Sequence, residues 1–296
     1  MPGPVTGLPG RFWSLVTAVT ARVARHGQMA RASQFAYVAF LASIPFIFVL
    51  VAILGLVASP DDYTSLVNRA RGTIPAQLAD FLDGLLRSAS QSTSQSAIFL
   101  VLGLITGLWL AGNVTGSLTD GLDDALERPH RPWVRGKARA LGLAAITALV
   151  FVLTTVLAVL GPAVVHWMLV QVDASAFDKV ATQVVVGLVS ALVFWAYLVM
   201  LYRYAPNHQS LPWRPPVLGA LVGVVGWLIV VNAFRVYVDN FGSYNRVYGS
   251  LGVVVIFLVF LYLTGLTILI GGETSAELHA RRARDEAPQP LAPAFP

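Results

Sequence analysis

The chain has 296 residues, of which 56% are hydrophobic and only 12% charged, with a mean hydropathy of +0.69. Soluble domains carry about 25% charged residues, so this composition excludes an ordinary globular protein, and the apolar runs leave no room for a separate soluble domain. The net charge of +5 is dispersed between those runs, which membrane topology explains better than nucleic-acid binding, and the absence of cysteine excludes disulfides and thiolate chemistry.

Met1–Gly10 is rich in Pro and Gly and reads as unstructured. From Arg11 to Arg31, Phe12, Trp13, Val16, Val19 and Val23 fall near helical spacing, with Arg11, Arg22, Arg25 and Arg31 interspersed. That pattern predicts an amphipathic helix lying in the plane of an anionic membrane surface, within a segment 1–34 that precedes the membrane domain. The short apolar core and cleavage site of a secretory signal do not follow it. Phe35–Ala58 is long enough for a first span, with Pro45 as a kink inside it. The connector after it opens on Ser59-Pro60-Asp61-Asp62, a good helix start. Ile74, Leu78, Phe81, Leu82 and Leu85 then make an apolar stripe, predicting a second amphipathic helix in the first extracytoplasmic loop.

Ala97–Gly116 is the second span. Its Gly103/Gly107 and Gly112/Gly116 pairs have the small-xxx-small spacing that lets helix backbones approach. Asn113, Ser117, Asp120 and Asp124 continue along roughly one face as this helix leaves the membrane. Span three is Ala138–Val165, span four Val180–Tyr202, span five Val217–Val236 and span six Leu251–Gly272. Residues 279–296 read as a disordered tail. The expected fold is therefore an all-α polytopic membrane protein with six transmembrane helices over residues 35–278 and no internal repeat. Fourteen of the 20 Lys and Arg residues fall in the N-terminal segment, the loops 117–139 and 203–216, and the C-terminal tail. The positive-inside rule places both termini in the cytoplasm.

Polar side chains in or beside the apolar runs gather at two depths. At the outer end lie Asn232, Arg235, Asp239, Tyr244 and Asn245, the first three spaced to share one face of helix five. They are candidates for substrate binding, against a plain Arg235–Asp239 salt bridge that caps the helix. At the cytoplasmic end lie Asn113, Asp120, Arg203 and Glu273, candidates for a gate or a coupling site. The structural alternative for Glu273 is a carboxylate paired with Arg203 or Arg281. The histidines (His26, His130, His166, His208, His279) lack the spacing of a helical metal site, and no Walker or nucleophile-elbow motif is present, so neither a metal, a cofactor nor an enzyme is expected.

Phe241-Gly242-Ser243-Tyr244-Asn245 followed by Tyr248-Gly249-Ser250-Leu251-Gly252 resembles the signature of the YihY/BrkB family of bacterial membrane proteins. The likeness extends to Ala36-Tyr37 with Pro45, to Trp109 with Asp120, to Trp133, and to Leu160-Gly161-Pro162. It continues through Tyr202-Arg203-Tyr204-Ala205-Pro206-Asn207, Trp213-Arg214 and Gly219-Ala220, and closes on Gly272-Glu273 and Ala276-Glu277-Leu278. Thr274-Ser275 stand where the family usually has Leu-Asn. The resemblance implies a six-helix protein of the bacterial inner membrane, in a family that has sometimes carried a ribonuclease label. No metal centre or base-stacking platform in this sequence supports that label.

Two functions fit these residues. One is a transporter or lipid-handling permease acting on an amphiphile or small polar solute. The other is a non-transporting scaffold in envelope assembly. The partners expected are the bilayer and its anionic headgroups, with homo-oligomers left open and nucleic acid not expected.

Overall fold

The computed structural model describes residues 8–57, 93–129, 132, 136–150, 177–207, 211–240 and 245–286. All the regular structure among them is helical: α1 (Leu8–Arg25), α2 (Gln28–Val57), α3 (Thr93–Ala125), α4 (136–150), α5 (Phe177–Tyr204), α6 (Arg214–Asn240) and α7 (Asn245–Glu286). Within α3, α5, α6 and α7 lie stretches long and apolar enough to cross a membrane, Val101–Ala125, Gly187–Tyr204, Arg214–Tyr237 and Val254–Glu286. The expected six spans are thus matched by four among the described residues. The amphipathic helix expected around Ile74–Leu85 lies outside them.

Three helix boundaries differ from the sequence expectation. The N-terminal helix stops at Arg25 instead of running to Arg31, because Gly27 adopts φ of +63°. A left-handed residue there is cheap only for glycine. The Gly27 carbonyl then accepts from Ala30 N (2.9 Å) and Arg31 N (3.2 Å), opening α2 seven residues before the expected span. At the other end of the chain, α7 stays helical to Glu286 where a disordered tail was expected. Its last turns are held by i,i+4 pairs, Glu277–Arg281 at 2.7 Å and Arg282–Glu286 at 2.6 Å. Between the last two expected spans, α6 runs on past Val236 to Asn240 and the next helix opens at Asn245, ahead of Leu251.

Neighbouring helices alternate in direction. Gly107 of α3 faces Pro45 of α2, and Gly121 faces Gln28, so those two helices are antiparallel. Gly112 and Gly116 face Leu141 and Ala140 of α4, the role their small-residue spacing predicts. α6 and α7 form the most extensive pair. They are pinned by Phe234 against Phe260 with ring centres 4.8 Å apart. Their backbones nearly touch, since a Cβ on Gly271 would lie 2.7 Å from the Gly219 carbonyl oxygen and 3.1 Å from Gly223 Cα.

Single side-chain hydrogen bonds tie the remaining interfaces. Thr115 Oγ1 donates to Ala140 O (2.7 Å) between α3 and α4, and Thr147 meets the Tyr197 hydroxyl (2.8 Å) between α4 and α5. Trp195 Nε1 donates to Val217 O (3.2 Å) between α5 and α6, and the buried Tyr202 hydroxyl donates to Ile268 O (2.6 Å) between α5 and α7. In an apolar surround such bonds help fix register where hydrophobic burial does not discriminate.

The core formed by Phe35, Leu118, Leu122, Leu198, Leu201, Tyr202 and Leu269 sits toward the end of the bundle that carries α1. Elsewhere the large apolar side chains point outward, Leu108, Ile146, Leu188, Leu221, Ile229 and Val255 among them. At most 29% of the residues in the four apolar stretches are buried inside the protein. An apolar exterior on that scale requires lipid as its solvent.

The close approach yields a test. Gly271→Ala overpacks the α6–α7 contact and should lower stability by about 1–3 kcal/mol, read as a lower unfolding temperature in detergent. Gly142→Ala, where an added Cβ meets nothing within 4 Å, should be neutral or slightly stabilising. Equal stability of both variants would show that α6 and α7 do not pack this closely.

Candidate functional site

The carboxylate of Glu273, at the end of the long apolar run of α7, is completely buried. A bare charge there would be prohibitive, so it must be compensated. Arg22 Nε donates to Oε2 at 3.1 Å, His26 Nδ1 lies 2.6 Å from Oε1, and Gln28 Nε2 donates to Oε1 at 2.8 Å. With an ionised Glu273, the His26 contact requires Nδ1 to carry the proton. The Gln28 amide nitrogen also reaches Gly121 O (2.9 Å); both neighbours are acceptors, which fixes the amide's orientation. Arg22 donates as well to Ala125 O, placing a cation at the C-terminal end of α3.

A second ring of charges surrounds this clasp. Glu277 Oε2 and Glu127 Oε1 each lie 3.8 Å from Arg22 Nη1, and Glu127 lies 3.7 Å from His26 Nε2. Glu127 holds its place through the end of α3: Arg128 N bonds Asp123 O (2.9 Å) and Glu127 N bonds Asp124 O (3.0 Å), a Schellman closure. Its φ of +55° is a conformation that side chains other than Gly and Asn rarely adopt. Arg281 bridges Glu277 to Ser14 O (2.9 Å), tying α7 back to α1.

One turn further along α2 the bundle opens into a groove of about 520 Å³ between α2, α3 and α4. Its polar lining includes Arg31, Gln34, Asn113, Asp120, Asp123 and Lys137. Arg31 binds Asp124 at 2.8 Å and lies 3.9 Å from Asp120. Asp123 is buried and accepts from Asn207 N (2.5 Å), fastening the turn after α5 to the end of α3. Lys137 donates to Asn113 Oδ1 and sits 3.9 Å from the centre of the Trp109 ring. Partial desolvation lowers its pKa from the ordinary 10.5.

The residues expected to form an inner gate are therefore divided. Asn113 and Asp120 share the groove, and Glu273 belongs to the adjoining clasp. Arg203 lies apart, stacked on Trp213 (4.1 Å) and bonded to Leu211 O, where it orders the turn before α6. Glu273 pairs with Arg22, not with Arg203 or Arg281. At the opposite end, Asn232 is exposed and returns its amide to Leu228 O (2.8 Å) in its own helix, and Arg235 is exposed. Tyr244 and the side chains of Asp239 and Asn245 lie outside the described residues. No group of three or more His, Cys, Asp or Glu able to hold a metal ion occurs among the described residues.

Arg22, His26, Gln28, Arg31 and Lys137 were not among the expected site residues. In the sequence the arginines read as an interfacial cation stripe, and only the His26-Gly27 break hints that they turn inward.

The sequence matches the family described as virulence factor BrkB over residues 19–295. The chain belongs to that family. Among curated proteins it is similar to the ribonuclease-like protein YfkH of Bacillus subtilis, 39% identical over 94 residues, which is 32% of this chain and 34% of the relative. It is also similar to UPF0761 membrane proteins of Nitrosospira multiformis (34% over 91 residues; 31% and 21%) and Xanthomonas campestris pv. campestris (35% over 98 residues; 33% and 23%). These matches span between about a fifth and a third of the relatives' own length. No solved structure matches. With its outward apolar surface, this BrkB family chain is an integral membrane protein.

The clasp should be costly to break on one side. Glu273→Ala removes the closest partner of Arg22 and His26 in a buried site, leaving them Glu277 and Glu127 at 3.7–3.8 Å. It should destabilise by about 3 kcal/mol, seen as loss of monodisperse protein or a large fall in unfolding temperature. Arg22→Met combined with Glu273→Met should recover much of that loss. A harmless Glu273→Ala would show the pair to be dispensable.

Proposed function

We propose that this BrkB family protein is a six-span plasma-membrane permease with both termini in the cytoplasm, and that it moves or presents an amphiphile without enzymatic chemistry. The observation that supports this most directly is the groove between α2, α3 and α4. It offers charges of both signs beside an apolar exterior, and Trp109, whose ring lies against the groove's Lys137, is 52% exposed. A polar cleft next to a lipid-facing surface suits a ligand with a polar head and an apolar body. The alternating helix directions favour α1, the groove and the end of α7 on one side of the membrane, and the positive-inside rule makes that side cytoplasmic. The α1 face carrying exposed Phe12 and Trp13 suits contact with the same membrane surface.

Reconstitution tests this reading. Purified protein in vesicles should accelerate transbilayer movement of labelled amphiphiles, and Arg31→Gln or Asp120→Asn should reduce the rate severalfold without loss of insertion. A reporter fused after Glu286 should be active only in its cytoplasm-reporting form. Vesicles with no flux over a broad lipid and solute panel would favour the envelope scaffold. Metal-dependent RNA cleavage lost on substitution of His26 or His279 would favour the ribonuclease-like activity for which YfkH is named. The expected result is no cleavage above background.

A further inference from the structure

Two kinds of charge sit at this end of the bundle, and they differ in their compensation. Glu273, Arg22 and Arg31 each have a partner of opposite sign within 4 Å. Lys137 does not: among the described residues its contacts are the neutral Asn113 Oδ1 and the face of Trp109. A half-buried ammonium held by a neutral amide and a ring retains most of its capacity to bind an anion. Its position is also constrained. Asn113 draws the Nζ into the groove, whereas a lysine that merely snorkels would extend toward bulk water.

The carboxylates nearby do not stand in the way. Asp120 lies two turns along α3 from Asn113, roughly 10 Å at 1.5 Å per residue. Asp124 is bound to Arg31, and Asp123 to the backbone of Asn207. The groove thus has a cationic mouth at Lys137, backed by Trp109, and an interior toward α1 where Arg31 stands among Asp120, Asp123 and Asp124. Lys137 immediately precedes the third span that the sequence predicts from Ala138, which would set it near the level of lipid phosphates. Lysine binds phosphate as a compact point charge, and the amide nitrogen of Asn113 is a further donor at the same place.

Resting on the permease reading above, we infer that the α2–α3–α4 groove is a phosphate-ester site whose anchor is Lys137, aligned by Asn113 and Trp109. The adjoining apolar surface favours a phospholipid over a soluble ester as the source of that phosphate.

The test is a binding measurement, independent of transport. Full-length protein in a neutral detergent is titrated with phosphatidylglycerol, with diacylglycerol of the same chains, and with glycerol 3-phosphate, and retained ligand is counted by native mass spectrometry. Phosphatidylglycerol should be retained and diacylglycerol should not. Lys137→Gln should weaken retention about tenfold, the loss expected for one charge-assisted contact, and Lys137→Arg should restore most of it. Arg282→Gln, removing an exposed cation near the end of α7, should change nothing. Retention of glycerol 3-phosphate with the same Lys137 dependence would support the phosphate site and assign it to a soluble ester. Retention unchanged in Lys137→Gln, or equal retention of diacylglycerol, would overturn the site. Unfolding temperature guards against a folding defect, and Asn113→Ala gives a second route: it should lower affinity while the charge remains, and unaltered affinity would count against the alignment. Flux that persists with unaltered binding in Lys137→Gln would refute this site and leave the permease reading standing. Lys137-dependent binding without flux would do the reverse.

Discussion

The arrangement of this bundle depends on keeping one carboxylate charged where no water reaches it. Glu273 lies on α7 at the level of the core, and an unpaired charge there would cost several kcal/mol even after local relaxation. The chain meets that demand from far away in sequence, with Arg22 and His26 at the end of α1 and Gln28 at the start of α2. To bring all three to one point, the chain must turn between them. Gly27 in its left-handed conformation makes that turn. The same contacts satisfy the carbonyls of Gly121 and Ala125 at the end of α3, so one ion pair fixes four helices.

What the clasp does along the bundle axis, small residues and isolated hydrogen bonds do across it. The α6–α7 approach at Gly219 and Gly271 leaves no room for a side chain, and Tyr202 closes the gap with a hydroxyl bonded to Ile268 O. Apolar side chains cannot drive this assembly, because lipid is as apolar as they are. Shape at the glycines and direction at the hydrogen bonds take over that task. The outward Leu, Ile and Val residues then serve solvation by the membrane.

The sequence made the apolar helices legible because each is long and continuous, and the polar face of α3 because Asn113, Ser117, Asp120 and Asp124 follow helical spacing, although Asp124, outside the groove lining, pairs with Arg31. Asn113, Ser117 and Asp120 do line one groove. Pairings were a different matter. Arg22 and Glu273 are 251 residues apart, and no periodicity connects them. Arg22 also resembles its neighbours Arg11 and Arg25 in everything except the direction it faces, which tertiary packing decides. Arg203 misled in the opposite way: its place at the end of an apolar run suggested an ion pair, while Trp213 ten residues on gave it a ring to stack upon. Helix ends were displaced for local reasons, since Gly27 stopped α1 early and the Glu277–Arg281 pair carried α7 further than its apolar residues do.

Charge compensation separates structural polar groups from those that can engage a ligand. In the clasp, Glu273 is matched by Arg22, its hydrogen bonds converge, and little capacity is left for anything from outside. Such a group holds the fold, and disturbing it should be felt as instability first. Lys137 is held in place by a neutral amide and an aromatic face, so it is positioned without being neutralised. Positioning without neutralisation conserves electrostatic attraction for a partner that arrives later. The two sites are one helix turn apart on α2, through Gln28 and Arg31, so the rigidity of the first is passed to the walls of the second. A cleft that must accept a bulky amphiphile and release it again benefits from a fixed floor, and the buried ion pair at the end of the bundle supplies it.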